Sequence, residues 1–69
     1  MKLYPNPVAA GIPVQLGMTA DVEVYNLNGS MVSSQKAVDA IATEGLTAGI
    51  YVVRIVDGDK MATTKLIIK

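Results

Sequence analysis

The side chains in this chain that could do chemistry are some carboxylates, three serines and a few lysines. The sequence has no histidine and no cysteine. Ser30, Ser33 and Ser34 therefore have no imidazole to activate them as nucleophiles. A structural zinc site is excluded for the same reason, because its usual ligands are histidine and cysteine side chains.

The carboxylates show no arrangement that is typical of a catalytic or metal site. Asp57-Gly58-Asp59 has the beginning of a calcium loop, but the further spaced carboxylates and the closing glutamate are missing, so we interpret it as a hairpin turn. The segment Gly45–Gly49 precedes a strand and not a helix, which excludes a phosphate-binding loop. We predict a non-enzyme that needs no cofactor or metal. The other carboxylates, none of them paired in an acid–base motif, are Asp21, Glu23, Asp39 and Glu44.

Composition indicates a single small domain over residues 1–69. Hydrophobic residues make up 51% of the sequence, but the aromatic ones are only three tyrosines. A core of small branched side chains favours strands. The formal net charge is zero, which argues against a nucleic-acid partner. Met1–Pro7 lacks the apolar region of a signal peptide. That fits a cytosolic protein or the tail of a longer exported chain, and the motifs below favour the tail.

Glycines and prolines divide the sequence into pieces that suit strands better than helices. Gln35–Glu44 is the one stretch that could compete as a helix, and we do not expect a full helix there. The pattern predicts an all-β immunoglobulin-like sandwich of about seven short, mostly antiparallel strands. The predicted strands are Lys2–Tyr4, Pro13–Met18, Asp21–Leu27, Ser30–Ala37, Asp39–Ala42, Ile50–Val56 and Lys60–Ile68.

Two dipeptides predict hairpins, because both readily adopt the positive φ angles of tight turns. They are Asn28-Gly29 and Asp57-Gly58. The apolar segment Ile50–Val56, which directly precedes the second of them, is predicted to be a central strand with little solvent on either face. In the last strand, alternation places Ala62, Thr64, Leu66 and Ile68 on one face, and Lys65, Ile67 and Lys69 on the other.

Four segments in order carry a family resemblance that covers essentially the whole chain. The first two are Leu3–Pro7 and Val22–Gly29. The others are Leu46–Ile55 and Thr64–Lys69. In this order they resemble the type A C-terminal sorting domains of the type IX (Por) secretion system of Bacteroidetes. Three positions depart from the residues that are usual in that family. Asn26 stands in place of Asp, Ser30 in place of Arg or Lys, and Thr47 in place of Pro.

The resemblance implies an immunoglobulin-like, non-catalytic secretion signal at the end of a secreted protein. Its implied partners are the outer-membrane translocon, shuttle proteins and a sortase-like protease, and no small-molecule substrate is implied. The attached cargo would cross the periplasm and outer membrane of a Gram-negative bacterium to the cell surface or medium.

The candidates for partner recognition lie in the last strand and at the start of the predicted strand Ile50–Val56. Lys65, Ile67 and Lys69 form a basic and apolar strip, whose alternative role is to protect a sheet edge from aggregation. Gly49 and Tyr51 are candidates as well, although packing at a sheet corner is the role that we favour for them. The turn motif Pro5, Asn6 and Pro7 is either a processing element or, as we prefer, a rigid turn.

A β-sandwich module for adhesion or carbohydrate binding is the alternative function. Such modules stack aromatic rings on sugars, and this chain offers only Tyr4, Tyr25 and Tyr51. Edge strands also allow self-association.

Overall fold

The computed structural model describes residues 7–69, and all of the regular structure in that range is β. The strands are β1 (Val14–Tyr25), β2 (Met31–Ile41), β3 (Gly49–Asp57) and β4 (Lys60–Ile68). They form one antiparallel sheet in the order β2-β1-β3-β4. Residues 7–69 include no helix of the length and apolarity needed to cross a membrane. The all-β prediction is confirmed, and Gln35–Glu44 is strand and loop.

One face of the sheet carries the core, and we call it the inner face. Strand residues of β-branched type alternate with polar ones, so that every second side chain points inward. The buried apolar residues of the core are Val8, Val14, Leu16, Ala20, Val22, Val24, Ile41, Tyr51, Val53, Ile55, Leu66 and Ile68. The opposite face, which we call the outer face, holds most of the charged side chains of β1, β3 and β4.

β1 bends part-way along its length. Gly17 has a φ of 78°, which a residue with a side chain rarely adopts. The β1–β2 register shifts between Gln15 and Ala20. Only the second half of β1, from Asp21 to Tyr25, also pairs with β3. The bend brings Leu16 of the first half into the same core as the second half.

β2 is irregular at the matching position. Ala37 has a φ of 53°, and its N–H donates to Asp21 Oδ1 at 2.9 Å. Beyond it the pairing resumes, with Val38 opposite Ala20. The carboxylate therefore satisfies a backbone group that the irregularity takes out of the ladder.

The prediction of seven strands in two sheets is not confirmed, since the described residues form four strands in one sheet. Pro13–Met18 and Asp21–Leu27 merge into β1, and Ser30–Ala37 and Asp39–Ala42 merge into β2. Local irregularities were read as strand ends, although pairing continues on both sides of them. The predicted strand Lys2–Tyr4 lies outside the described residues.

Both predicted hairpins are present, with different turn geometry. Between β3 and β4, Asp57 pairs with Lys60, so the central residues are Gly58 and Asp59. A glycine with φ of 64° in the first central position is typical of a type II′ turn. The first hairpin is wider than a two-residue turn, because Asn26 N–H donates to the Ser30 carbonyl at 2.9 Å.

The predicted faces of β3 and β4 are largely confirmed. Leu66 and Ile68 are buried on the inner face, whereas Lys65 is exposed. β3 lies between two strands as expected, but its outer face is more open than predicted. Ile50 is 43% exposed, and Arg54 is exposed as well.

Candidate functional site

The structure brings together no catalytic or metal-binding cluster among residues 7–69. No three potential ligands of the His, Cys, Asp or Glu type converge in that range. Asp57 and Asp59 lie at the β3–β4 turn. Ser33 and Ser34 lie in β2, and Ser30 lies in the loop before it.

The three residues of the predicted strip, Lys65, Ile67 and Lys69, alternate at the C-terminal end of the chain, and we call them the terminal strip. Lys65 and Lys69 are exposed, and Ile67 is half-buried. The pairing between β3 and β4 sets Val52 beside Lys65 and Ile50 beside Ile67. The strip therefore adjoins apolar side chains of the outer face. Ile50 and Val52 are not among the residues predicted for recognition, because their strand was expected to have little solvent on either face.

The backbone edge of the terminal strip is held by the N-terminal segment. Val8 N–H donates to the Ile67 carbonyl at 2.9 Å, and Lys69 N–H donates to the Val8 carbonyl at 2.8 Å. Val8 forms a parallel bridge with Ile68, and its side chain is buried. Residues so far apart in sequence give no local signal that they pair. The sign that the sequence offered was that Val8 is an apolar residue among turn residues.

Tyr51 belongs to the core rather than to the terminal strip. Its side chain is only 7% exposed. Its hydroxyl donates to the Thr47 carbonyl at 2.6 Å and lies 3.2 Å from Thr47 Oγ1. A tyrosine that bonds back to the chain a few residues upstream ties a loop to a strand at a sheet corner. Gly49 begins β3 with a φ of 155° and is exposed. Apart from Gly49 and its two chain neighbours, no described residue has an atom within 4 Å of where a Cβ would be.

Three side chains that interact through polar atoms lie on the outer face beside the terminal strip. The Tyr25 hydroxyl donates to Glu23 Oε1 at 3.0 Å, and Arg54 Nε lies 3.7 Å from the same oxygen. This hydrogen bond to Glu23 is the main reason that the pKa of Tyr25 is raised above 10.0. Partial desolvation and the negative charge of Glu23 act in the same direction, and Arg54 opposes them. Both charged side chains are partly exposed, so the ion pair contributes little to stability.

The first hairpin is closed by a side chain at one of the positions that depart from the family. Asn26 Oδ1 accepts bonds from the N–H groups of Asn28 and Ser30, both at 3.0 Å. A carboxylate oxygen would accept the same two bonds, so asparagine and aspartate are equivalent in this turn. Gly29 follows with a φ of 89°, as predicted for the turn. Thr47, a second departure, supplies both oxygens that lie within hydrogen-bond distance of the Tyr51 hydroxyl.

Of the N-terminal turn motif, Pro5 and Asn6 lie outside the described residues. Pro7 is exposed and is followed directly by the buried Val8. Pro7 therefore stands at the entry to the parallel contact with β4.

Comparison with protein families decides what this sheet belongs to. The sequence model of the family described as secretion system C-terminal sorting domain matches residues 2–69. The chain is a member of this family. A search of curated proteins gave no match. The sorting-domain resemblance that was derived from the four ordered segments is confirmed.

Membership gives this sorting domain its function. It is a C-terminal secretion signal of the type IX system, and it directs export to the cell surface or the medium. The family is one of non-catalytic signals that the type IX machinery recognises. The alternative of an adhesion or carbohydrate-binding module receives no support.

Proposed function

We propose that the terminal strip is the part of this sorting domain that the outer-membrane translocon and its shuttle proteins recognise. A signal read by a protein must present chemistry that is distinct from an ordinary sheet surface. Lys65 and Lys69 flank Ile67 on the outer face, about 13 Å apart at the usual rise of a strand. Two cations around an apolar residue provide charge for steering and apolar area for affinity.

The observation that carries this proposal is the position of the strip on a fixed backbone. The bonds of Val8 to Ile67 and Lys69 hold the last strand in place as far as Lys69. Ile50 extends the apolar area beside Ile67. The partner then binds without first ordering this strand, which lowers the entropic cost of recognition.

Gly49 and Tyr51 take a supporting part in this proposal. Tyr51 anchors the loop that enters β3 through Thr47, and β3 in turn carries Ile50 and Val52 to the strip. The side chain of Tyr51 points inward, so its contribution to recognition is through the position of its strand.

We also propose that the bent sheet corresponds to the immunoglobulin-like sandwich that the resemblance implies. The halves of β1 on either side of Gly17 contribute to one core, as opposed layers of a sandwich do. The hydrogen bond from the Tyr51 hydroxyl to the Thr47 carbonyl is of the kind that defines a tyrosine corner in such sandwiches.

In the same proposal, a cargo joined to this domain crosses the periplasm and outer membrane of a Gram-negative bacterium. A sortase-like protease then removes the domain. The test is a fusion of a signal peptide, a fluorescent reporter and this chain in a type IX-competent strain. Fluorescence at the surface and in the medium is compared with that of a translocon-null strain, and we expect export only in the competent strain.

The terminal strip is tested in the same fusion by replacing Lys65 and Lys69 with glutamine and, separately, Ile67 with serine. We expect reporter to accumulate in the periplasm, although the domain remains folded. Lys60→Gln is the matched control, because Lys60 is an exposed lysine at the far end of β4. Undiminished export of both strip variants would contradict the proposal and leave the family assignment intact.

A further inference from the structure

β2 forms the edge of the sheet opposite to the terminal strip. In the strand order β2-β1-β3-β4, β1 is its one neighbour among the described strands. Soluble proteins usually protect such an edge with charged residues, prolines or a covering segment. The stretch Met31–Gln35 has no charged residue and no proline. Met31 is 52% exposed and Val32 is 40% exposed.

The other edge of the sheet, which β4 forms, is bonded to the segment that contains Val8. There, Val8 bonds to Ile67 and Lys69, and lysines lie along the strand. The contrast between the two edges points to a use for the β2 edge, because an open strand with exposed apolar residues is a template for pairing.

The direction of the backbone groups in β2 follows from the first hairpin. Asn26 N–H donates to the Ser30 carbonyl, so the backbone groups of Asn26 face β2. Backbone groups alternate between the two sides of a strand, and those of Val24 therefore face β2 as well. Val24 pairs with Ser33. Ser34, the next residue, consequently directs its N–H and C=O away from β1.

A cavity of about 220 Å³ lies beside this edge on the outer face. The charged side chains that line the cavity differ in whether they have a bonding partner. Glu23 accepts from Tyr25 and contacts Arg54, and Asp21 accepts from the N–H of Ala37. Lys36, in contrast, has no carboxylate of residues 7–69 within ion-pair distance. The cavity is lined by Asp21, Val22, Glu23, Ser34, Gln35, Lys36, Arg54 and Val56.

We infer that the edge of β2 from Met31 to Lys36 accepts an added strand from a partner protein, with a carboxylate side chain of that strand placed at Lys36. Backbone bonds to outward groups such as those of Ser34 supply affinity. The carboxylate pairs with Lys36, and apolar side chains of the added strand cover Met31 and Val32. The irregularity at Ala37 ends the pairing site, since the edge is no longer straight there.

This inference goes beyond the secretion signal and does not depend on the terminal strip. β2 and β4 are the opposite ends of the strand order. Loss of binding at one edge therefore leaves the other measurable, and the export assay reports on the strip separately.

The test is a titration of the isotope-labelled chain with a short capped peptide of alternating valine and glutamate, followed by backbone amide chemical shifts. We expect shifts concentrated in Met31–Lys36, with slower hydrogen exchange of the Ser34 amide. A matched peptide of alternating valine and lysine is expected to bind on the order of tenfold more weakly, as loss of one charge-assisted contact implies.

Two variants locate the site. Ser34→Pro removes the outward N–H while sparing the bonds to β1, which an edge strand tolerates. Lys36→Glu reverses the charge without altering the backbone. Each is expected to weaken binding of the valine–glutamate peptide on the order of tenfold, and Lys60→Glu, at the other hairpin, is expected to leave it unchanged.

Three results would overturn the inference. One is the absence of shifts with the peptide, and another is shifts that centre on β4. The third is a set of β2 shifts that grow with protein concentration before peptide is added, because the edge would then pair with a second copy of this chain. If Ser34→Pro fails to fold, Lys36→Glu decides between the outcomes.

Discussion

The side-chain amide of Gln35 bonds to both backbone groups of Ala42. Its Oε1 accepts from Ala42 N–H at 2.9 Å, and its Nε2 donates to the Ala42 carbonyl at 3.3 Å. The same Nε2 lies 2.9 Å from Ser33 Oγ. Ala42 follows the last residue of β2, so the amide takes the place of a neighbouring strand at the point where β2 ends.

Replacing Gln35 with alanine is expected to lower the free energy of unfolding by about 1 kcal/mol, because solvent competes for these exposed bonds. Gln35→Glu keeps the acceptor but sets a carboxylate against the Ala42 carbonyl, so it should not restore stability. Urea unfolding of both variants measures the effect. Gln15→Ala, an exposed glutamine in β1, is the control, and equal losses at positions 15 and 35 would contradict this role.

Tyr51→Phe removes the hydroxyl that donates to the Thr47 carbonyl. We expect a loss of about 1 kcal/mol, since the ring still fills the core and only the hydrogen bond is lost. In a domain of this size that corresponds to a fall in Tm of roughly 4–8 °C. Thermal unfolding followed by circular dichroism gives the value. Tyr25→Phe is the matched control, and we expect it to change stability less than Tyr51→Phe does, because its partner Glu23 is partly exposed. A larger effect at Tyr25 than at Tyr51 would refute the corner.

Tyr25 should titrate above 10.0, because its hydroxyl donates to the Glu23 carboxylate. A pKa raised by folding favours the protonated phenol. The resulting stability is therefore present below pH 10 and is lost as the pH rises through the raised pKa. Glu23→Gln is expected to lower the pKa of Tyr25 toward its ordinary value. Tyrosinate absorbance, with Tyr25→Phe subtracted to isolate this residue, measures it, and an unchanged pKa in Glu23→Gln would assign the shift to another cause.

Leu66 tests whether export needs the whole sheet or only the terminal strip. It is fully buried between the exposed Lys65 and the half-buried Ile67. Leu66→Ala is expected to cost about 2–5 kcal/mol, a large share of the roughly 3–10 kcal/mol that holds a domain of this size. Leu66→Met conserves volume and should cost less than about 1.5 kcal/mol. Urea unfolding ranks the variants, and export of the reporter fusion is expected to follow that ranking. Full export with an unfolded Leu66→Ala domain would show that the linear strip suffices.

Alternation and turn residues were enough to predict much of this sheet. The inward positions of Leu66 and Ile68, and the outward position of Lys65, follow from a period of two along an extended strand. Gly58 has the positive φ that its position beside Asp57 predicted. The number of strands was not predictable in the same way, because a glycine such as Gly17 accommodates either the end of a strand or a bend within it. Only the pairing of β1 with β2 distinguishes the two cases.

The sequence by itself determined the strand character, the turns and, through four ordered segments, the family of sorting domains. These properties depend on residue types that are near one another along the chain. The tertiary structure alone decided that Val8 pairs with the last strand and that Gln35 closes β2 on Ala42. It also decided that, within residues 7–69, β2 has β1 as its one neighbouring strand and carries Lys36 at its edge. These are contacts and edges of the folded sheet. They depend on which strands become neighbours, and a periodic pattern is the same whichever neighbour is chosen.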